Sequence, residues 1–304
     1  MKILLLGGSG QVGWELQRSL ALLGEVTLAG IDGGTTLAAD FSRPETLRGV
    51  VEALSPGVIV NAAAHTAVDR CEAEPELAQA INATATDVLA RAAQASGAWL
   101  IHYSTDYVFD GSGTAPWRED DATGPLSVYG RTKLAGEAAI RASGCRHFIV
   151  RTSWVYGARG DNFAKTMLRL AAERDALSVV ADQVGAPTGA ELLADATAHM
   201  LRNVTGPGPG AAAASGTYHV AASGECSWHT YARHVIAYAR AHGRPLRVAD
   251  EAVRAIATAD YPTPARRPGN SRLDTTKFRS TFDLVLPPWQ RGVERALDEM
   301  FQRA

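Results

Sequence analysis

KILLLGGSGQVG, residues 2–13, opens this 304-residue chain and decides its fold. Ile3–Leu6 is a continuously apolar run, typical of a strand that is buried on both faces of a parallel sheet. From Val12 to Leu23, apolar side chains recur at the spacing of one helical face. The stretch therefore predicts a buried strand that runs through a short glycine-rich turn into a helix.

Gly7, Gly10 and Gly13 form a GxxGxxG pattern at that turn. Glycine allows a tight turn and lets the backbone approach a ligand closely. The following helix presents unpaired N–H groups and a partial positive charge at its N-terminus, which suits a pyrophosphate. A plain glycine-rich turn is the alternative, but the position directly after a buried-type strand favours a dinucleotide-binding turn.

Strand-like and helix-like segments alternate through the first half of the chain. Such alternation predicts a doubly wound parallel α/β sheet with helices on both faces. The further strand candidates are 26–31, 58–61, 99–103 and 148–152, and the intervening helix candidates are 44–54, 77–95 and 129–142.

After Trp154 the regular alternation of strand-like and helix-like segments ends, and helical patterns dominate at 162–174, 191–203, 227–241 and 287–301. A prior of roughly 150 residues per domain suggests one large domain or two modest ones. We therefore expect a nucleotide-binding domain over residues 1–155 and a smaller, mainly substrate-binding domain over 156–304. The two should interleave, with some later segments returning to the first.

Composition excludes several classes of function. Hydrophobic residues make up 46% and charged residues 20%, which predicts a folded core. A net charge of −2 leaves no electrostatic footprint for nucleic acid or an anionic membrane. Cys71, Cys145 and Cys226 are too far apart for a disulfide framework or a metal motif. With no signal-peptide core and no run long enough to span a bilayer, we expect a cytoplasmic protein.

Asp32 stands at the end of the second strand candidate, 19 residues after Gly13. A carboxylate there accepts hydrogen bonds from the adenosine ribose and repels a 2′-phosphate, which favours NADH. The alternative interpretation is a turn aspartate that precedes Gly33 and Gly34.

Tyr129 and Lys133 form a YxxxK pair at the start of a helix, where an i, i+4 spacing places both on one face. A neighbouring ammonium is expected to lower the tyrosine pKa from its usual value of about 10. The phenol can then donate a proton to a carbonyl oxygen as hydride reaches the carbon. The pair therefore predicts a carbonyl reductase.

A hydroxyl at the end of an earlier strand should complete this set, and Ser104 and Thr105 are both candidates. In Asn61–Thr66, small residues after another strand allow a cofactor to lie close to the backbone. His65 lies in that stretch, but a catalytic role is disfavoured because no serine or cysteine nucleophile motif accompanies it.

With these motifs in place, the chain resembles the dTDP-4-dehydrorhamnose reductase family of the extended short-chain dehydrogenase/reductase superfamily along nearly its whole length. The resemblance implies a Rossmann-type fold and NAD(P)H-dependent reduction of the C4 ketone of dTDP-4-dehydro-L-rhamnose. The motifs that carry it include GGSGQVGWELQ, VNAAAHTAVD, HYSTDYVFDG, VYGRTKLAGE, RTSWVYG, DQVGAPTGAELLAD and YPTPARRPGNSRLD.

The resemblance also implies roles for individual residues. It makes Thr105, rather than Ser104, the catalytic hydroxyl beside Tyr129 and Lys133, and it places Asp106 and Trp154 against the substrate. Members of the family use NADH or NADPH, so Asp32 favours NADH but does not exclude NADPH. The implied cofactor-binding residues are Gly7, Gly10, Gln11, Val12, Asp32, Asp40, Phe41, Ala62, Ala63, Ala64, His65, Thr66, Tyr129 and Lys133.

Some members of the family dimerise around a magnesium ion held by glutamates. The matching residues are Glu15, Glu191 and Glu294, and oxygen ligands suit Mg²⁺. The resemblance thus implies a homodimer with a structural metal, while three solvated helix glutamates are the alternative. Arg266 and Arg267 are candidates for the substrate diphosphate, since guanidinium groups pair well with phosphate oxygens.

Two other functions stay open at this stage. One is epimerisation of a nucleotide sugar within the same superfamily, and the other is a non-catalytic regulatory subunit on the same fold. Dehydration is disfavoured, because related dehydratases place two acids after the catalytic threonine whereas Tyr107 follows Asp106 here.

Overall fold

Parallel strands form the centre of the protein in a computed structural model that describes residues 1–31, 37–205 and 214–302. The described chain has the strands β1 (Lys2–Leu6), β2 (Glu25–Gly30), β3 (Leu37–Ala38), β4 (Val58–Asn61), β5 (Trp99–Thr105), β6 (His147–Thr152), β7 (Val155–Tyr156), β8 (Leu177–Val180), β9 (Val184–Gly185), β10 (Thr188–Gly189), β11 (Gly216–His219), β12 (Cys226–Ser227) and β13 (Val253–Ile256). Outside the central sheet, β9 and β12 form an antiparallel pair.

Helices cover both faces of these strands. They are α1 (Gln11–Leu20), α2 (Leu47–Leu54), α3 (Val68–Ala73), α4 (Pro75–Gln79), α5 (Ala85–Ser96), α6 (Val128–Ser143), α7 (Phe163–Glu173), α8 (Ala190–Thr205), α9 (Trp228–Ala241), α10 (Thr276–Phe282) and α11 (Trp289–Gln302).

Seven strands of the described chain join one parallel sheet in the order β11-β6-β5-β4-β1-β2-β3. One face packs on α1, α8 and α10 through side chains such as Leu16, Leu193 and Phe278. The other face packs on α2, α5 and α6 through side chains such as Leu89 and Ile140. The expected doubly wound α/β fold is therefore confirmed.

A separate apolar cluster joins α7, α9 and α11 with the small β8–β13 sheet. Strand β11 comes from the second half of the sequence but pairs with β6 in the central sheet. The division into two domains at residue 155 stays a prediction, and any such division must allow for this return of the chain.

Several elements differ from the sequence-based expectation. The helix expected over 77–95 begins at Pro75 and carries a π-helical segment, Ala80–Thr84, between α4 and α5. Neither α3 nor α10 was expected, because each is short and its few buried side chains sit among polar residues.

Two features bear on the expected environment of the chain. Cys71, Cys145 and Cys226 are buried and unpaired, as expected. Among the described residues, no helix has both the length and the apolar character needed to cross a bilayer.

Candidate active site

The glycine turn after β1 is built for close backbone packing. Gly7 has φ +77°, and a Cβ at this position would lie 2.5 Å from the backbone nitrogen of Ala63. A Cβ at Gly13 would lie 2.0 Å from the carbonyl oxygen of Gly7. Gly10 precedes α1 without any side-chain cap, so the first-turn N–H groups are left for a ligand. These features fit a dinucleotide pyrophosphate.

This turn lies at the switch point of the sheet, where β1 and β4 are neighbours and the chain order reverses. Ligands of open α/β sheets bind at the carboxyl ends of the strands at such a point. A cavity of about 450 Å³ opens there. It is lined by Gly10, Gln11, Val12, Ala62, Ala64, Thr66, Val68, Tyr103, Ser104, Thr105, Asp106, Tyr107, Tyr129, Lys133, Thr152, Ser153, Trp154, Val155, Asp161, Trp228 and Arg267.

Most of the expected site residues line this single cavity, including those expected at the pyrophosphate, the reacting carbonyl and the substrate. The expected residues outside its lining are Gly7, Asp40, Phe41, Ala63 and His65. Asp32 lies outside the described residues. The assigned roles stay predictions, but the cavity brings the catalytic set and the glycine turn together.

Asp40 and Phe41 lie in the segment after β3. Asp40 Oδ1 accepts hydrogen bonds from the backbone N–H and the hydroxyl of Ser42 at 2.9 and 2.6 Å. These bonds hold the pKa of the Asp40 carboxyl below its usual value. The Phe41 ring is buried in the core beneath the sheet.

Tyr129 begins the first turn of α6 and faces the cavity. Desolvation there raises the pKa of its phenol, although a hydrogen bond with the Thr105 side chain acts in the opposite direction. The expectation that a neighbouring ammonium lowers this pKa is therefore wrong. The reason is that Lys133 directs its amino group elsewhere.

The amino nitrogen of Lys133 lies 3.0 Å from Nε2 of His102, a fully buried residue of β5. Nδ1 of the same ring lies 3.1 Å from Nδ2 of Asn61, which is its register partner on β4. Burial lowers the pKa of Lys133 to about 8, and it holds that of His102 well below its usual value. His102 is thus a neutral ring next to a readily deprotonated lysine.

Ser104 and Thr105 have different surroundings, although both line the cavity. Ser104 Oγ donates to Oε1 of buried Glu137 at 2.6 Å. Thr105 Oγ1 donates to Asp106 Oδ1 at 3.0 Å and accepts from the backbone N–H of Tyr107 at 3.2 Å. Of the two, Thr105 is the residue that lies beside the Tyr129 phenol and acts on its pKa. This geometry favours Thr105 as the hydroxyl beside the reacting carbonyl.

Asp106 follows directly and is almost completely buried. Its Oδ2 has no hydrogen-bond partner in the described part of the chain. Desolvation raises the pKa of the carboxyl to about 6. An unpartnered buried oxygen on the cavity wall is a ready acceptor for a sugar hydroxyl.

His65 is turned towards α3 and α4. Its Nε2 lies 3.2 Å from Glu74 Oε2, and its Nδ1 lies 3.5 Å from Cys71 Sγ. This arrangement resembles a nucleophile pair, but the thiol is buried and burial raises its pKa to about 11. A thiol with that pKa supplies almost no thiolate at neutral pH.

Trp154 has φ +51°, a left-handed conformation that is uncommon for a non-glycine residue and often marks a functional site. Its ring stacks on Trp228 with a centroid separation of 3.6 Å. Sequence reasoning missed Trp228, since the segment 227–241 shows only a helical pattern. The pair forms an aromatic part of the cavity wall.

The two arginines expected at the substrate diphosphate differ in their position relative to the cavity. Arg267 lines the cavity, where its guanidinium donates to Asp69 at 2.8 Å and lies near Tyr107. Arg266 is exposed and lies outside the cavity lining. Of the two, only Arg267 is placed to meet a ligand in this cavity.

The three glutamates expected to hold magnesium do not meet within the described chain. The charges of Glu15, Asp195 and Glu299 act on Glu191, which also pairs with Arg295 at 3.3 Å. Glu294 instead lies 3.3 Å from His234 Nε2. No cluster of three or more potential metal-ligating side chains forms in residues 1–31, 37–205 and 214–302. The expected set therefore does not fit a metal within one chain.

Comparisons with known proteins agree with this geometry. The family model described as "RmlD substrate binding domain" matches residues 1–302. The dTDP-4-dehydrorhamnose reductase of Salmonella typhimurium is 56% identical over 301 residues, covering 99% of this chain and 98% of that protein.

Two solved structures are also similar over nearly the full length. A dTDP-4-dehydrorhamnose reductase from Clostridium acetobutylicum has a TM-score of 0.87 at 35% identity and covers 99% of this chain and 100% of its own. The enzyme from Bacillus anthracis, in complex with NADP, has a TM-score of 0.84 at 34% identity and covers 98% and 99%.

Proposed function

The chain belongs to the RmlD substrate-binding-domain family, and on that basis we propose that it reduces the C4 ketone of dTDP-4-dehydro-L-rhamnose with NADH or NADPH. The product is dTDP-L-rhamnose. One observation carries the proposal: a single cavity joins the glycine turn to the hydroxyls of Thr105 and Tyr129. A dinucleotide and a ketone can therefore meet at the pair that handles the proton.

NAD(P)H supplies the hydride when it is bound. The residues that would hold it are Gly10, Gln11 and Val12 at the pyrophosphate and the backbone from Ala62 to Thr66 along its side. Gln11 Oε1 accepts a hydrogen bond from Asn162 Nδ2 at 3.1 Å, which anchors this turn to the segment before α7.

Tyr129 donates the proton to the C4 oxygen. Its raised pKa keeps the phenol protonated at neutral pH, which is the form that a ketone reduction consumes. The Thr105 hydroxyl lies beside the phenol, where it can orient the substrate carbonyl. Lys133 lies one helical turn further along α6, and its ammonium form compensates the negative charge that develops on the phenol oxygen, provided that the amino group turns from His102 towards the cavity.

The substrate-side wall supports a nucleotide sugar. The Trp154–Trp228 stack offers an apolar face to a sugar ring, and the free Oδ2 of Asp106 offers an acceptor to a sugar hydroxyl. Arg267 supplies a guanidinium for the diphosphate, provided that its pairing with Asp69 loosens when substrate binds.

The experiment that tests this proposal identifies the sugar product in addition to measuring oxidation of the cofactor. The protein is incubated with dTDP-4-dehydro-L-rhamnose and either NADPH or NADH, and the sugar product is identified by NMR. We expect stoichiometric formation of dTDP-L-rhamnose with oxidation of one cofactor per sugar. An epimerised keto sugar with no net cofactor oxidation would instead identify an epimerase, and unchanged substrate with bound cofactor would point to a regulatory subunit.

We also propose a homodimer in which the acidic surface around Glu15 and Glu191 meets a second chain. The electrostatic coupling of these two carboxylates supports a shared cation between chains. Light scattering with Mg²⁺ and with EDTA tests this. A dimer that dissociates in EDTA supports a shared metal, a dimer that persists removes the need for it, and a monomer under both conditions contradicts the homodimer.

A further inference from the structure

Three buried residues beneath the cavity form a continuous polar chain from β4 through β5 to α6. They are Asn61, His102 and Lys133, and each is about 1% exposed or less. The chain starts at the backbone N–H of Ala63, which donates to Asn61 Oδ1 at 3.1 Å. The sequence drew attention to Lys133 alone, and the reductase mechanism uses neither of the other two side chains.

Hydrogen-bond accounting assigns a direction to this chain. Because Asn61 Oδ1 already accepts from Ala63, the atom facing the histidine is the amide nitrogen Nδ2, which can only donate. Nδ1 of His102 must then be an acceptor. A neutral imidazole carries one hydrogen, so that hydrogen sits on Nε2 and points at the amino group of Lys133, 3.0 Å away.

An Nε2–H group and an ammonium are both donors, and they cannot satisfy each other. The uncharged amine of Lys133 has a lone pair that accepts from Nε2–H, and with it every bond in the chain has one donor and one acceptor. Charging the lysine therefore requires the hydrogen to move to Nδ1 of His102. With the hydrogen on Nδ1, that N–H would face the NH₂ group of Asn61, so two donors would meet. If the Asn61 amide rotated by about 180° to avoid this, its NH₂ group would face the backbone N–H of Ala63 instead.

We propose that Asn61 and His102 set the charge state of Lys133: Asn61 fixes the tautomer of His102, and the resulting Nε2–H favours the uncharged amine. Burial, which lowers the pKa of Lys133 to about 8, acts in the same direction as this arrangement. His102 and Asn61 are thus positioning residues for the lysine. The inference depends on the proposed reductase function only for its kinetic consequence.

Other charged groups near the pair act on the same equilibrium. Glu137, on the same helix, favours the ammonium, but its carboxylate is already paired with Arg151 from β6 at 2.7 Å. On the cavity side, the groups that face Tyr129 are Asp106, Tyr107 and Cys71. Asn61 contributes no charge of its own, so its effect on Lys133 passes through the tautomer of His102.

The first test reads the tautomer directly in the cofactor-free protein. Long-range ¹H–¹⁵N spectra of histidine-labelled protein distinguish a ring hydrogen on Nε2 from one on Nδ1, and the His102 signals are assigned by their loss in His102→Gln. We expect Nε2–H above the pKa of Lys133, about 8, where the amine is uncharged, with an inflection in the ring shifts as Lys133 titrates. Nδ1–H above that pH would overturn the proposal. This result stands whether or not the protein reduces the proposed sugar.

The second test changes Asn61. Asn61→Asp presents only acceptors, so His102 should carry its hydrogen on Nδ1 and accept from the Lys133 ammonium. Asn61→Leu removes the amide donor without adding a charge, so the hydrogen of His102 should be free to occupy Nδ1 in this variant as well. In both variants we expect the pH of the inflection, and the pH of the alkaline limb of kcat/KM, to rise by about one unit. One pH unit corresponds to about 1.4 kcal/mol.

Ser104→Ala is the matched control, because it disturbs the neighbouring contact between β5 and α6 and leaves Asn61 and His102 in place. We expect the wild-type tautomer in that variant. Wild-type inflections in both Asn61 variants, or a shift in Asn61→Asp alone, would show that the amide does not act through the histidine. Where Asn61→Asp fails to fold, Asn61→Leu and the wild-type spectrum still decide.

Discussion

Ser104 Oγ donates a 2.6 Å hydrogen bond to the fully buried carboxylate of Glu137, while its neighbour Thr105 donates to Asp106 and lies beside the Tyr129 phenol. The two adjacent hydroxyls of β5 therefore have separate tasks. Ser104 stabilises the contact between strand and helix α6, and Thr105 belongs to the reacting centre. This separation leads to the first prediction.

Thr105→Val and Ser104→Ala should differ in kcat. Thr105→Val removes the hydroxyl beside the Tyr129 phenol, and we expect kcat to fall about 10²-fold or more. Because that hydroxyl also donates to buried Asp106, the variant should lose about 1–3 kcal/mol of stability as well. Ser104→Ala removes a hydrogen bond to a charged group and should cost about 1.5–3 kcal/mol of stability while kcat stays near wild type. Steady-state kinetics and urea unfolding on both variants check this. A larger kcat loss in Ser104→Ala than in Thr105→Val would reverse the assignment.

The buried Arg151–Glu137 pair should make the fold sensitive to acid. Hydrogen bonds and the charge of Arg151 outweigh desolvation and hold the pKa of Glu137 below its ordinary value of 4.5. Because the pKa of Glu137 is lower in the folded state than in the unfolded state, its carboxylate stabilises the fold above about pH 4.5. This contribution is lost as the pH falls through the folded-state pKa.

Arg151→Met should cost about 3–5 kcal/mol, because Glu137 is left buried without its main partner, and its acid unfolding should begin at a higher pH. Arg141→Met is the control. Arg141 also contacts Glu137, but its side chain is 44% exposed, so the loss should be below about 1 kcal/mol. Equal effects of the two substitutions in urea unfolding would contradict the dominant role of Arg151.

Gly13→Ala should disrupt the glycine turn. A Cβ at this position would lie 2.0 Å from the Gly7 carbonyl oxygen, so helix α1 must shift away from β1. We expect NAD(P)H affinity to drop at least tenfold. The control is Gly49→Ala in α2, where a Cβ meets nothing within 4 Å and the change should be neutral or slightly stabilising. Unchanged cofactor binding by Gly13→Ala in fluorescence titration would count against this turn as the pyrophosphate site.

Trp228→Ala should raise the substrate KM more than it lowers kcat. The substitution removes one member of the Trp154–Trp228 stack but no group near the Tyr129 hydroxyl. We expect a KM increase of about tenfold with NAD(P)H affinity unchanged. A fall in kcat at an unchanged KM would place Trp228 in the chemical step instead of the substrate wall.

The architecture was predictable because its determinants are local. The apolar run of β1, the glycine turn and the i, i+4 spacing of Tyr129 and Lys133 are each contained in a few consecutive residues. The sequence pattern also indicated most of the cavity lining, since the carboxyl ends of parallel strands necessarily converge at one edge of the sheet.

What could not be predicted depends on contacts between distant segments. By residue type alone Ser104 and Thr105 are equivalent, so that only the family resemblance favoured Thr105; in the structure, the contact of Ser104 with buried Glu137 distinguishes them. Trp228 enters the cavity wall because it stacks on Trp154, 74 residues earlier in the numbering. The direction of the Tyr129 pKa was wrong because an ammonium one helical turn away points at His102 and not at the phenol.

Tyr129→Phe tests the central claim most directly, with Tyr218→Phe as the control for loss of a tyrosine hydroxyl, since Tyr218 OH donates to Ala214 within the core. Oxidation of NADH and NADPH is followed with dTDP-4-dehydro-L-rhamnose as substrate. The account predicts turnover in the wild type and in Tyr218→Phe, and a fall in kcat of about 10²–10⁴-fold in Tyr129→Phe with cofactor binding retained. Wild-type turnover in Tyr129→Phe would contradict the assignment of Tyr129 as the proton donor.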